Sequence, residues 1–215
     1  MPEIIFNGAD GRLEGRYHHS KRTGAPIALL LHPNSQHGGT MNQKIIYALY
    51  QAFVSRGFSV LRFNFRGVGR SQGEFDNGLG ELSDAAAALD WMQGYNANAS
   101  GCWIGGFSFG AWIGMQLMMR RPEISRFISI APPASMHDFS FLAPCPASGL
   151  IVHGNADEIV PIESVDKLTQ KLSSQKTVVI DYRIIEKADH FFADHMKTLI
   201  GHVDDYIEET LVEVA

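Results

Sequence analysis

Cysteine is nearly absent from this chain. Two thiols in 215 residues, Cys102 and Cys145, cannot build a disulfide framework. Cys102 falls inside an apolar run, where a free thiol behaves as a small hydrophobe. Basic charge is short as well: 18 Lys and Arg stand against 23 Asp and Glu, for a net charge of −5. Neither nucleic acid nor an anionic membrane surface would be drawn to that balance. No apolar stretch approaches the roughly 20 residues of a membrane span. The opening Met1-Pro2-Glu3-Ile4-Ile5-Phe6-Asn7-Gly8 lacks a basic n-region and a long apolar h-region, so no leader peptide is expected. Together these absences predict a reducing, cytoplasmic setting. No Cys, His and Asp cluster has zinc spacing, so no metal or other cofactor is expected.

What remains is ordinary for a globule, with 45% hydrophobic and 19% charged residues. Residues 1–215 are expected to form one domain with a substantial core. Ile4–Phe6 and Leu13–His18, split by Asn7-Gly8-Ala9-Asp10-Gly11, read as a hairpin. Strands and helices then alternate. Strands are expected at Ile27–Leu31, Phe58–Phe63, Cys102–Gly105, Phe127–Ala131, Gly149–His153 and Thr177–Ile185. Helices are expected at Met41–Arg56, Glu81–Gln93, Phe109–Arg120, Ile162–Leu172 and Phe192–Val212. That alternation predicts right-handed βαβ units, hence a mostly parallel twisted sheet with helices on both faces and an antiparallel edge at the front.

One stretch carries most of the chemical information. Gly105-Gly106-Phe107-Ser108-Phe109-Gly110 ends a strand and opens a helix. In that context Gly-x-Ser-x-Gly is a nucleophile elbow, a turn that holds a weakly nucleophilic hydroxyl exposed beside a base. The letters alone are weak, since a glycine-rich turn with a serine N-cap carries them too. A serine nucleophile also needs a base and an orienting acid, and such groups collect at the carboxyl ends of parallel strands. Asp157 follows the Gly149–His153 strand and His190 follows the Thr177–Ile185 strand. Asp138, after the Phe127–Ala131 strand, is the rival acid. His153 precedes the acid and reads as a packing histidine. His195 and His202 fall on the flank of the last helix, and His137 sits in a loop with no preceding glycine turn.

Five segments in this order resemble the α/β-hydrolase superfamily over nearly the whole chain. They are Leu31-His32-Pro33, Asn64–Gly73, Gly106–Gly110, Val152–Pro161 and Ala188-Asp189-His190-Phe191-Phe192. The chain is most similar to the small, lidless bacterial members, of the size of dienelactone hydrolases but with Ser108 in place of cysteine. The resemblance implies the α/β-hydrolase fold without a cap domain, because only Pro132–Ala147 separates the two strands between which lids insert. It implies Ser108, Asp157 and His190 as the catalytic set. It also implies an oxyanion hole from two backbone N–H groups. One is that of Phe109. The other falls to Asn34, with Ser35 as the alternative, because Pro33 stands where the family has glycine and proline has no N–H. His32 is then a structural brace.

Phe107, Phe139, Phe141 and Phe191 are expected to bind substrate, and about half of Phe75, Phe139, Phe141, Leu142, Phe191 and Phe192 to face the pocket. The implied activity is that of a serine hydrolase acting on small to medium carboxylic esters or thioesters, its partner a small-molecule substrate. A peptidase or acyltransferase on the same residues, and a non-catalytic ligand binder on the same scaffold, remain open. No motif specifies an oligomeric state.

Overall fold

The computed structural model of the chain describes residues 3–214. Met1 and Pro2, at the head of the segment read for a leader, and Ala215 lie outside the described residues. The described strands are β1 (Glu3–Gly8), β2 (Gly11–His18), β3 (Ile27–Leu31), β4 (Ser59–Phe63), β5 (Cys102–Phe107), β6 (Ile124–Ile130), β7 (Ser148–Gly154) and β8 (Ile180–Ile185). They form one sheet in the order β1-β2-β4-β3-β5-β6-β7-β8. β1 pairs with β2, and β2 with β4, in antiparallel register; every other pair is parallel. The described α-helices are α1 (Lys44–Ser55), α2 (Leu79–Tyr95), α3 (Phe109–Met118), α4 (Ile162–Ser173) and α5 (Met196–Val214). None is long and apolar enough to cross a membrane.

Successive residues of a strand point to opposite faces, and that period of two sorts the core into two layers. Ile27, Leu29 and Leu31 of β3 pack with Leu61 and Phe63 of β4 and Ile104 of β5. Helices α2, α3 and α4 cover this face. Ala28 and Leu30 join Val60, Trp103 and Phe107 on the other face, under α1 and α5. All five residues of β3 are buried, which is why that strand reads as an unbroken apolar run.

Element boundaries move where side chains intervene. Helix α1 begins at Lys44, later than its periodicity predicts. Gln43 Oε1 accepts the N–H groups of Ile45 and Ile46 at 2.7 and 3.4 Å and so caps the helix. Helix α5 begins at Met196, not Phe192. Phe192 has a φ of 52°, outside the helical range, yet its side chain is fully buried. A single 3-10 turn, Ser35–His37, breaks the loop after β3. Asn34 Oδ1 starts it by accepting the Gln36 N–H at 2.8 Å.

The loop after β4 is anchored by a buried ion pair with no sequence signature. Arg66 Nε and an Nη reach the two oxygens of Asp84 on α2 at 3.0 and 2.9 Å, and the Arg66 backbone N–H reaches Oδ2 at 3.0 Å. Removing Asp84 leaves the buried Arg66 charge only the exposed Asp10 carboxylate, 3.7 Å away. Asp84→Ala is expected to lower the free energy of unfolding by about 3–5 kcal/mol, read from urea denaturation at neutral pH. A loss under 1 kcal/mol would show that the pair does not anchor the loop.

Candidate functional site

Ser108 stands between β5 and α3 with φ 52° and ψ −119°. This backbone region is sparsely populated for a residue with a Cβ, and it holds only where surrounding contacts enforce it. Two glycines make those contacts possible. A Cβ on Gly106 would lie 2.5 Å from the carbonyl carbon of Gly110, and a Cβ on Gly110 would lie 2.1 Å from the Leu31 carbonyl oxygen. The strand end, the turn and the neighbouring β3 thus pack closer than any side chain allows. The Ser108 N–H donates to the Ile130 carbonyl on β6 at 2.8 Å, which fixes the turn to the sheet.

The other two strand ends close around it. His190 Nε2 is 3.1 Å from Ser108 Oγ, and His190 Nδ1 is 2.7 Å from Asp157 Oδ2. With Nδ1 carrying the proton, His190 donates to Asp157 and accepts from the serine hydroxyl. Asp157 Oδ1 takes the N–H groups of Ile159 and Val160 at 2.9 and 2.8 Å. Burial would raise the Asp157 pKa. The bonds from His190 and Val160 outweigh it and hold the carboxyl below the usual range. Asp138 does not join this cluster. It is exposed and caps its own loop, accepting the Ser140 N–H at 2.7 Å and the Ser140 hydroxyl at 2.6 Å.

Two further histidines brace the site. His153 is fully buried, and its Nε2–H donates to the Val160 carbonyl at 2.9 Å, tightening the Asp157 turn. Its Nδ1 has no hydrogen-bond partner among the described residues, so it is only half satisfied as a packing histidine. His32 is equally buried. Its Nδ1–H donates to the Pro33 carbonyl at 2.7 Å, and its Nε2 accepts the Phe65 N–H at 3.0 Å. That stitches the loop after β3 to the loop after β4. Within the first loop the Asn34 N–H has no acceptor among the described residues, and neither does the Phe109 N–H at the head of α3. Both residues line one cavity of about 350 Å³ with Ser108 and His190.

The walls of that cavity differ from the aromatic expectation. Only Phe191, 52% exposed, lines it among the four phenylalanines expected to bind substrate. Phe107 sits one residue before the elbow, on the strand face that carries Trp103. It is therefore buried under α1 and α5, with its ring 5.2 Å from the His190 ring. Phe139 is buried in the opposite layer, and Phe141 stacks on it at 6.0 Å instead of facing the serine. Phe75, Leu142 and Phe192 are likewise absent from the lining. Pro133, Met136 and Ile159 form the apolar wall in their place, and His37, Gln43 and His137 are polar liners.

The family model of X-Pro dipeptidyl-peptidase (S15 family) matches residues 14–143, more than half of the chain. The chain belongs to this family, on the α/β-hydrolase fold. The match spans the elbow and ends before Asp157 and His190. The structure of ATU1826 from Agrobacterium tumefaciens, a protein of unknown function, is 57% identical with a TM-score of 0.97, covering 99% of this chain and 97% of that one. XC6422 from Xanthomonas campestris, a serine hydrolase without lid, is 31% identical with a TM-score of 0.87, covering 97% and 94%. The lysophosphatidylserine lipase ABHD12 of Xenopus tropicalis is 26% identical over 86% of this chain, which spans 56% of that protein's length.

As in the lidless hydrolase, no cap covers the serine here: the segment between β6 and β7 carries neither helix nor strand. The residues that sequence reasoning missed on this α/β hydrolase, Met136, His137 and Ile159, lie in loops whose composition gives no directional signal. Period-two and helical patterns exist only inside regular elements.

His32 makes the brace sensitive to acid. Burial pushes its pKa down to about 4, with the Pro33 carbonyl opposing, against 6.5 for a free imidazole. Between those values the unfolded chain binds a proton that the folded chain refuses, so stability falls as pH drops from 6.5 towards 4. The fall attributable to His32 is up to about 3 kcal/mol. Urea unfolding at neutral pH and near pH 4.5 should show a smaller acid loss in His32→Gln than in the unaltered protein. An equal loss would exclude His32 as the source.

Proposed function

We propose that the protein is a serine hydrolase of small to medium carboxylic esters or thioesters. One observation carries the reading: Ser108 Oγ, the His190 ring and the Asp157 carboxylate form a continuous chain at 3.1 and 2.7 Å. In the proposed reaction Ser108 Oγ attacks the acyl carbon while His190 Nε2 takes its proton. The tetrahedral intermediate collapses, the alcohol or thiol leaves with the proton from His190, and the acyl group stays on Ser108. Water, deprotonated by the same nitrogen, then attacks the acyl-enzyme; the bond from the acyl carbon to Ser108 Oγ breaks, His190 returns the proton to that oxygen, and the acid is released. Asp157 holds the imidazole in the Nδ1–H tautomer and stabilises the imidazolium. The N–H groups of Phe109 and Asn34 stabilise the oxyanion, the Phe109 group at the positive end of α3.

Peptide cleavage is the second reading, and the S15 match favours it. A dipeptidyl-peptidase must hold the free ammonium of its substrate, which calls for a carboxylate near the serine. No acidic residue lines the cavity among the described residues. The apolar wall of Pro133, Met136, Ile159 and Phe191 supports an ester with an apolar chain instead.

A fluorophosphonate should label the protein stoichiometrically, and Ser108→Ala and His190→Ala should both abolish labelling. An unlabelled protein would sink the enzymatic reading and leave a ligand binder. On a p-nitrophenyl ester, Asp157→Asn should lower kcat by about 10⁴ while Asp138→Asn stays within about twofold; the reverse pattern would assign the acid to Asp138. The oxyanion donor can be tested by backbone chemistry. Asn34 has a φ of −54°, which proline can adopt, so Asn34→Pro deletes the N–H with little change of backbone. Its kcat should fall about 10²–10³-fold, and Asn34→Ala, which loses only the side-chain cap, should stay within about tenfold. Equal effects would place the second donor elsewhere.

A further inference from the structure

His137 is a cavity liner whose ring nitrogens the fold leaves uncommitted. Its side chain stacks on Trp112 of α3 with ring centroids 4.0 Å apart and planes at 17°, and it meets Phe109 edge-on at 6.0 Å. Neither ring nitrogen has a protein partner among the described residues. The segment that carries it is pinned on both sides. The His137 and Met136 N–H groups donate to the Pro133 carbonyl at 3.0 Å, and the Trp112 indole N–H donates to the Asp138 carbonyl at 3.1 Å. The imidazole is therefore held in one place before any substrate arrives, which lowers the entropic cost of using it. Burial pushes its pKa down, so at neutral pH it is uncharged, one nitrogen donating and the other accepting.

The ring also stands at a boundary. His137 lines the Ser108 cavity and, on its other side, an open groove of about 540 Å³ between the β6–β7 segment and α4. The cavity wall is apolar, through Pro133, Met136, Ile159 and Phe191. The groove is more polar than the cavity, with Asp138, Ser140, Glu163, Lys167 and Lys171 along it beside Phe139 and Leu168. An ester laid across this boundary puts its apolar acyl chain against the first wall and its alcohol half towards the second.

We infer that His137 is a specificity-determining residue that hydrogen-bonds a hydroxyl of the leaving alcohol, selecting esters of apolar acids with hydroxyl-bearing alcohols. This rests on the ester-hydrolase reading of Ser108. The test compares propyl butyrate with 2,3-dihydroxypropyl butyrate, following released acid by titration. The unaltered protein should prefer the dihydroxypropyl ester. His137→Phe keeps a flat ring on Trp112 but removes both nitrogens. It should lower kcat/KM for the dihydroxypropyl ester about tenfold, mainly through KM, and leave the propyl ester within about twofold. His137→Asn, which restores a donor, should recover part of the preference. Equal changes on both esters, or none on either, would overturn the inference while leaving the ester-hydrolase reading intact. A protein inert towards both esters and unlabelled by the fluorophosphonate would overturn that reading itself.

Discussion

Between β5 and α3 the chain reverses within a single residue, and everything at the candidate site is built around that reversal. Ser108 pays for it with φ 52° and ψ −119°, a conformation that is sparsely populated for a residue with a Cβ. The strain persists because Gly106 touches Gly110, Gly110 touches β3, and the Ser108 N–H is tied to Ile130 on β6. Three neighbouring strands must be in register before the turn can form. In return, the hydroxyl projects from the sheet edge and the first free N–H of α3 lies beside it.

The same edge supplies the acid, held by backbone N–H groups, and the base, held by side chains. Asp157 takes two backbone N–H groups, and His153 secures the turn by bonding the Val160 carbonyl. The His190 ring lies against Phe107 and Phe191, which limits its rotation while its two nitrogens bridge serine and acid. Phe107 thus acts through packing beneath the histidine. His32 performs the matching task for the loop that presents Asn34, joining two loops through one neutral ring. Buried neutral imidazoles tie these segments together without the desolvation cost of a charge.

Much of this was legible in the residues. Ile27–Leu31 is predicted and observed at the same limits, because a strand covered on both faces leaves an unbroken apolar run. The order of Ser108, Asp157 and His190 after three strands could be read because parallel sheets bring strand ends to one edge. The rivalry between Asp157 and Asp138 could not be resolved that way, since both follow strands. The closure of Asp138 on its own Ser140 decides which of them is free to meet His190. The start of α5 was misplaced for a similar reason. Phe192 is as apolar as a helix stripe requires, and only its positive φ shows that it belongs to the preceding turn.

By itself, the sequence determined the α/β alternation, the elbow, and the serine and histidine it brings to one edge, and it narrowed the acid to Asp157 or Asp138. Each is written in local periodicity, in glycine placement or in position after a strand. Tertiary structure alone decided the walls. Strand alternation sent Phe107 to the far layer, the β6–β7 segment buried Phe139 and left Met136 exposed, and His137, stacked on Trp112, came to line the cavity. A side chain in an irregular segment has no periodicity to reveal its direction, so its surroundings had to be built before it could be read.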